Sequence, residues 1–191
     1  MGKGRIEAFS DGVIAIIITI MVLELKTPHE PTLEALMELS PVFLSYVLSF
    51  VNIGIYWNNH HHLLHAVKRV NGKILWANLH LLFWLSLVPF TTAWMGENHF
   101  ASWPVIMFGV NLLLAGAAYS ILTMKILEFH GKDSDIAKAI GSDLKGKLSV
   151  ALYAAAVALA FFNPWISIAI YCAVAVLWFI PDRRIEKSLA T

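Results

Sequence analysis

The sequence predicts an all-α membrane protein of six transmembrane helices with both ends in the cytoplasm, and three observations carry that prediction. Of its 191 residues, 58% are hydrophobic and 14% charged, at a mean hydropathy of +0.67. A soluble domain carries about 25% charged residues. Breakers divide the chain into six apolar segments. On the resulting map, thirteen of the fourteen Lys and Arg fall on one side, with Lys26 alone on the other. The positive-inside rule makes the basic side cytoplasmic. An odd number of spans would separate the termini, so six is the self-consistent count.

The first span is expected over residues 5–25. Lys3 and Arg5 ahead of an apolar run superficially resemble a signal peptide, but Asp11 interrupts the entry and Leu23-Glu24-Leu25-Lys26 offers no small-x-small cleavage site. The segment is therefore expected to be retained. Met1-Gly2 is not a myristoylation signal, because Ile6 stands where Ser or Thr is required. Pro28 and Pro31 make a loop, and Leu33, Leu36 and Met37 stand at the spacing of a short surface helix. Ser40-Pro41 reads as the N-cap and first-turn proline of the second span, 41–67. Asn71-Gly72 is a turn, and the third span, 74–95, should kink at Pro89. Ser102 and Pro104 open the fourth, 103–127. A polar stretch to Lys145, with a short helix expected after Asp133, leads to the fifth, 147–162, and Asn163-Pro164 opens the sixth, 164–180. The last two are short against the roughly 20 residues of a full span. Trp76, Trp94, Trp103, Trp165 and Trp178 fall near span ends, as an interfacial aromatic belt requires.

Composition also limits function. A net charge of +1 gives no reason to expect a nucleic-acid partner, and the lone Cys172 excludes an intrachain disulfide. Opposite the basic side, Glu24, Glu30, Glu34, Glu38 and Glu97 outnumber Lys26. They form either an ordinary solvated surface or a mouth that concentrates cations.

Ionisable groups inside spans are costly and mark function or buried pairs. Asp11 lies one turn from Glu7, and Arg5 is on another face, so its partner should come from another helix. The second span offers Trp57, Asn59, His60, His61, His62 and His65. With about 1.5 Å rise per residue, Asp11, His60 or His61, and Asn78 and His80 of the third span all sit at a similar depth near the inner leaflet. A hydrogen-bonded network of Ser10, Asp11, His60 or His61, and Asn78 would satisfy these groups. His61 and His65 at i,i+4 could instead hold a metal with Asp11, but with no cysteine nearby the structural network is preferred and no metal is expected. In the first span Ile16, Thr19 and Leu23 form a single stripe. Alone, it reads as packing, with the Thr19 hydroxyl able to return to a backbone carbonyl.

Arg5-x-x-x-Phe9-Ser10-Asp11-Gly12, Trp57-x-Asn59-His60-His61, Asn78 and Pro89-Phe90-x-Thr92 together resemble the bacterial branch of the endosomal/lysosomal potassium channel family (transmembrane protein 175). The resemblance covers about the first hundred residues; the second half matches by hydropathy and length alone. It implies one six-helix unit over 1–191, a homotetramer in which helix one of each subunit lines a central pore, and potassium selectivity without a Thr-Val-Gly-Tyr-Gly filter, which this sequence lacks. The family's pore positions fall on Ile16, Thr19 and Leu23. Its network joining helix one to helices two and three falls on Arg5, Ser10, Asp11, Trp57, His60, His61 and Asn78.

The function expected is a potassium-selective leak channel of the cell membrane, multi-pass, with membrane lipid and potassium ions as partners. No enzymatic activity and no cofactor beyond the permeant ion are expected. The alternatives are a proton or small-solute transporter using Asp11 and the 60–62 histidine run, and a membrane metalloenzyme built on His61 and His65. No inverted repeat or pair of interrupted helices supports the transporter.

The topology is directly testable. Cysteines placed at 27–31 or 98–101 should react with an impermeant reagent added to whole cells, and cysteines at 70–72 or 130–135 should not. Reaction from outside at a cysteine replacing Gly131 would reverse the orientation.

Overall fold

A computed structural model describes residues 2–67, 69–131, 134, 137 and 144–179. Among them the chain forms α1 (Gly4–Leu23), α2 (Leu33–Glu38), α3 (Ser40–His65), α4 (Gly72–Ser86), α5 (Val88–Glu97), α6 (Ser102–His130), α7 (Leu144–Leu159) and α8 (Pro164–Phe179). The described residues are all-helical. Four stretches are long and apolar enough to cross a membrane: α1, α3, α4 with α5, and α6. α7 and α8 have 16 residues each, a length of about 24 Å against a hydrocarbon core of about 30 Å. The helix expected after Asp133 lies largely outside the described residues, as do Lys68, Lys132, Lys138, Arg183, Arg184 and Lys187.

Several sequence signals act differently from their simplest reading. Ser40 does not cap α3. The chain leaves α2 through Leu39 in a right-handed helical conformation, so Leu39 is the cap and Ser40 and Pro41 are already helical. The capping side chain sits earlier, at Thr32, whose hydroxyl accepts from the Ala35 amide at 3.2 Å. Asn71 is more than a turn residue: its side-chain oxygen accepts from Ile74 N at 3.0 Å and starts α4. The third apolar stretch is interrupted at Leu87 and not merely bent at Pro89. Proline lacks an N–H and its ring crowds the carbonyl four residues back, so the break precedes it and Pro89 occupies the first turn of α5.

Helix α1 packs against α3, α4 and α5, while α6 packs against α4, α5, α7 and α8. One buried cluster joins α1 to the 53–88 stretch and the second half of α6; another gathers Met95, Phe108, Leu112, Tyr153 and Tyr171 around α6, α7 and α8. Small residues set the closest approaches. Tyr171 lies over Gly109, where a Cβ would overlap the phenol, and donates to the Val105 carbonyl at 3.2 Å. Ser49 and Thr92 join α3 to α5 at 2.6 Å. Gly96 lets those two helices touch, since a Cβ there would stand 2.7 Å from the Val42 Cα.

Backbone cannot yield as a flexible side chain can, so Gly96→Ala should separate α3 from α5. Overpacking of this kind costs about 1–3 kcal/mol. Gly54→Ala meets open space and should be stable to within about 1 kcal/mol of the parent. Thermal unfolding in detergent should therefore show a lower midpoint for the first variant only.

Candidate functional site

The polar groups of the first three apolar stretches meet where α1 begins and α3 ends. Ser10, His60 and Asn78 are at most 1% exposed. The Asn78 amide nitrogen donates to Ser10 Oγ at 2.9 Å, which leaves its carbonyl oxygen for His60 Nε2 at 2.7 Å. His60 must then carry its proton on Nε2. One side chain from α4 thus fastens α1 to α3, in a place without water to substitute for either partner.

Two further links lie at the rim. Trp57 Nε1 donates to Asp11 Oδ1 at 3.0 Å. Lys3 Nζ donates to the carbonyls of Leu64 at 3.3 Å and His65 at 2.6 Å and pairs with Glu7 at 3.3 Å. A cation on the last carbonyls of a helix satisfies orphan acceptors and opposes the helix dipole. Along α1 the contacts run from Lys3 to Asp11; along α3 they run back from His65 to Trp57. Both intervals are eight residues, about 12 Å, so the two antiparallel helices are held in register.

The expected network is corrected in three respects. Asp11 accepts from Trp57 and not from a histidine. His61 stands outside the buried cluster: it is exposed, stacked between Trp57 at 5.9 Å and His65 at 6.0 Å between ring centroids, because a step of one residue turns it about 100° away from His60. Arg5 is exposed and forms no ion pair among the described residues; Lys3 makes the connection assigned to it. The sequence reading passed over Lys3. The signal was a basic residue one turn before Glu7, opposite a helix end that lacks a capping glycine. No three His, Cys, Asp or Glu among the described residues gather as a metal site requires.

With one face pinned, α1 leaves the other uncovered. Ile6, Ser10, Ile14, Ile17 and Met21 are buried, whereas Ile16 is 58% and Leu23 78% exposed, with Thr19 exposed between them. Thr19 Oγ1 donates to the Ile16 carbonyl at 2.8 Å. Its proton is turned back to the helix, and the oxygen lone pairs are left facing outward.

This arrangement has counterparts. A potassium channel of Chryseobacterium sp. (strain P1-3) is 54% identical over 99% of this chain and 98% of its own length. The family model described as endosomal/lysosomal potassium channel TMEM175 matches residues 5–89, which contain Ser10, Asp11, Trp57, His60 and Asn78 but not Lys3. The crystal structure of a lysosomal potassium-selective channel TMEM175 homolog from Chamaesiphon minutus superposes with a TM-score of 0.82 at 30% identity, covering 94% of this chain and 97% of that one. An endosomal/lysosomal proton channel TMEM175 of Gallus gallus is 35% identical over 47% of this chain but only 20% of its own length. The chain belongs to the TMEM175 family. Its relatives are named as ion channels and not as enzymes.

The buried link can be measured as a coupling. Loss of either partner of Asn78 strands a buried polar group, at about 1–3 kcal/mol. Ser10→Ala and His60→Ala should each destabilise, and the double variant should fall short of their sum. His61→Ala, outside the cluster, should cost less than His60→Ala. Additive losses, or equal effects of His60 and His61, would dissolve the network.

Proposed function

We propose that this chain is a subunit of a homotetrameric, potassium-selective leak channel in which α1 of each subunit lines the central pore. Each subunit is one six-span unit over 1–191, α7 and α8 completing the count with short spans that local thinning of the bilayer accommodates, and both termini are cytoplasmic. The observation that carries the reading is the uncovered stripe of Ile16, Thr19 and Leu23 on a helix whose opposite face is fully engaged. One helix cannot enclose a pore, so copies must meet around an axis. The Chryseobacterium and Chamaesiphon relatives, both named as potassium channels, add the ion and the activity.

In this reading Ile16 forms the constriction, an apolar ring that loses its water and stops ions when narrow. The outward lone pairs of Thr19 form a ring of neutral acceptors that takes over part of the hydration shell of potassium, and Leu23 lines the wider end. Arg5, Ser10, Asp11, Trp57, His60, His61 and Asn78 act at a distance from the ion, by fixing or flanking the end of α1. Potassium is the permeating ion and not a cofactor. The name of the vertebrate relative supports a second permeant species, the proton, which a pH-sensitive dye inside the vesicles would detect. The transporter reading is weaker, because Asp11 and His60 engage separate partners.

Reconstituted flux tests this. Ile16→Asn should wet the constriction and raise basal cation flux with some loss of potassium preference. Thr19→Val keeps the diameter and removes the acceptors, so the potassium-to-sodium ratio should fall while the tetramer stays intact by size. Unchanged selectivity in both variants, in intact tetramers, would remove α1 from the pore.

A further inference from the structure

Away from α1, the helices α3, α6, α7 and α8 border a partly open cavity of about 40 Å³ lined by Asn52, Tyr56, Gly116, Ser120, Tyr153 and Trp178 among others. Tyr153 is 4% exposed, and neither its hydroxyl nor that of Tyr56 has a hydrogen-bond partner among the described residues. Both phenols line the space, where a molecule in the cavity can partner their hydroxyls. Acceptors are also left over. Asn52 uses its amide nitrogen on the Leu48 carbonyl at 2.9 Å, which frees its oxygen, and Ser120 turns its proton to the Gly116 carbonyl at 3.1 Å. Trp178 Nε1 donates to Ser149 Oγ at 2.7 Å, and Ser149 donates to the Lys145 carbonyl at 2.8 Å, which closes one wall.

We infer that this cavity is a binding site for a small neutral hydroxylic molecule, a short-chain alcohol in class, held by the phenols of Tyr56 and Tyr153 as donors and by Asn52 and Ser120 as acceptors. A neutral occupant suits the lining: among the described residues no acidic or basic side chain borders the space, and a lone charge in such a place is strongly disfavoured. Size excludes a lipid chain. A water needs roughly 10–15 Å³ of such space, so about three waters fill the cavity when the ligand is absent. A hydroxyl offers both a donor and an acceptor, which the two phenols and the two spare oxygens complement. Tyr56 neighbours Trp57 in α3, and Tyr119 donates to the carbonyl of Asn59, beside His60. The occupant therefore bears on the helix turn that holds α1. The site itself does not depend on which ion the chain conducts.

Gly116 gives a clean test. A Cβ there would meet Tyr56 Oη and Val150 Cγ2 at 3.7 Å each, ordinary contacts, so Gly116→Ala folds and narrows the cavity, and Gly116→Val fills it. The full chain in liposomes is photolabelled with a short-chain alcohol carrying a diazirine, and adducts are mapped by mass spectrometry. Adducts should form on Tyr56 or Tyr153 and be competed by excess propan-1-ol. They should decline in Gly116→Ala and vanish in Gly116→Val, with labelling of the exposed Phe162 unchanged. If Gly116→Val does not assemble, the decline in Gly116→Ala decides. Labelling confined to lipid-facing residues, or labelling of the two tyrosines undiminished by Gly116→Ala, overturns the proposal.

Discussion

The architecture depends on a single side chain from α4 reaching two other helices at once. Asn78 gives a proton to Ser10 on α1 and takes one from His60 on α3. In a hydrocarbon surround such groups have no water to fall back on, so neither bond can be exchanged for solvation. Because the donor and acceptor of one amide point in different directions, satisfying both fixes the rotation of α1 about its own axis. Rotation by one residue would carry Ser10 about 100° away and bring Phe9 or Asp11 toward Asn78 in its place. The buried stripe from Ile6 to Met21 and the open stripe of Ile16, Thr19 and Leu23 follow from that setting. The proposed pore is the consequence of an orientation, and the orientation is held by polar chemistry at one end of the helix.

The rest of the molecule provides a rigid backing. Lys3 on the last carbonyls of α3 and Trp57 on Asp11 hold the axial register of α1. Close approach at Gly96 and the Ser49–Thr92 bond bring α5 against α3. The second half is put together differently, by aromatic packing on small residues such as Tyr171 over Gly109 and by Ser167 donating to the Ala156 carbonyl at 2.6 Å. That contrast agrees with the extent of the family model, residues 5–89: the polar network is a specific sequence signal, whereas apolar packing admits many solutions of equal volume.

Much of the fold was legible because membrane spans are encoded in length and hydropathy, and four of the expected stretches meet both criteria. Capping was less legible. Ser40-Pro41 has the composition of a helix start, but the backbone passes through Leu39 without leaving the helical region, and no local pattern distinguishes a continuous entry from a capped one. At the site, residue type and depth identified Ser10, His60 and Asn78 as possible partners without deciding between His60 and His61. The phase of α3 could have decided it. His60 stands four residues before Leu64 and seven after Ile53, both fully buried, so it shares their face and His61 does not. Lys3 was hidden for another reason: its partners are backbone carbonyls 61 and 62 residues away, which carry no sequence identity to read. The tyrosine-lined cavity was likewise invisible, since its walls come from four helices.

The central claim is that the open face of α1 turns toward a fourfold axis, and a distance measurement on the assembled protein addresses it most directly. With Cys172 replaced by serine and a spin label on a cysteine at position 23, pulsed electron resonance in liposomes should give two distances in the ratio of the diagonal of a square to its side. A single distance, or no intersubunit distance, would contradict the account.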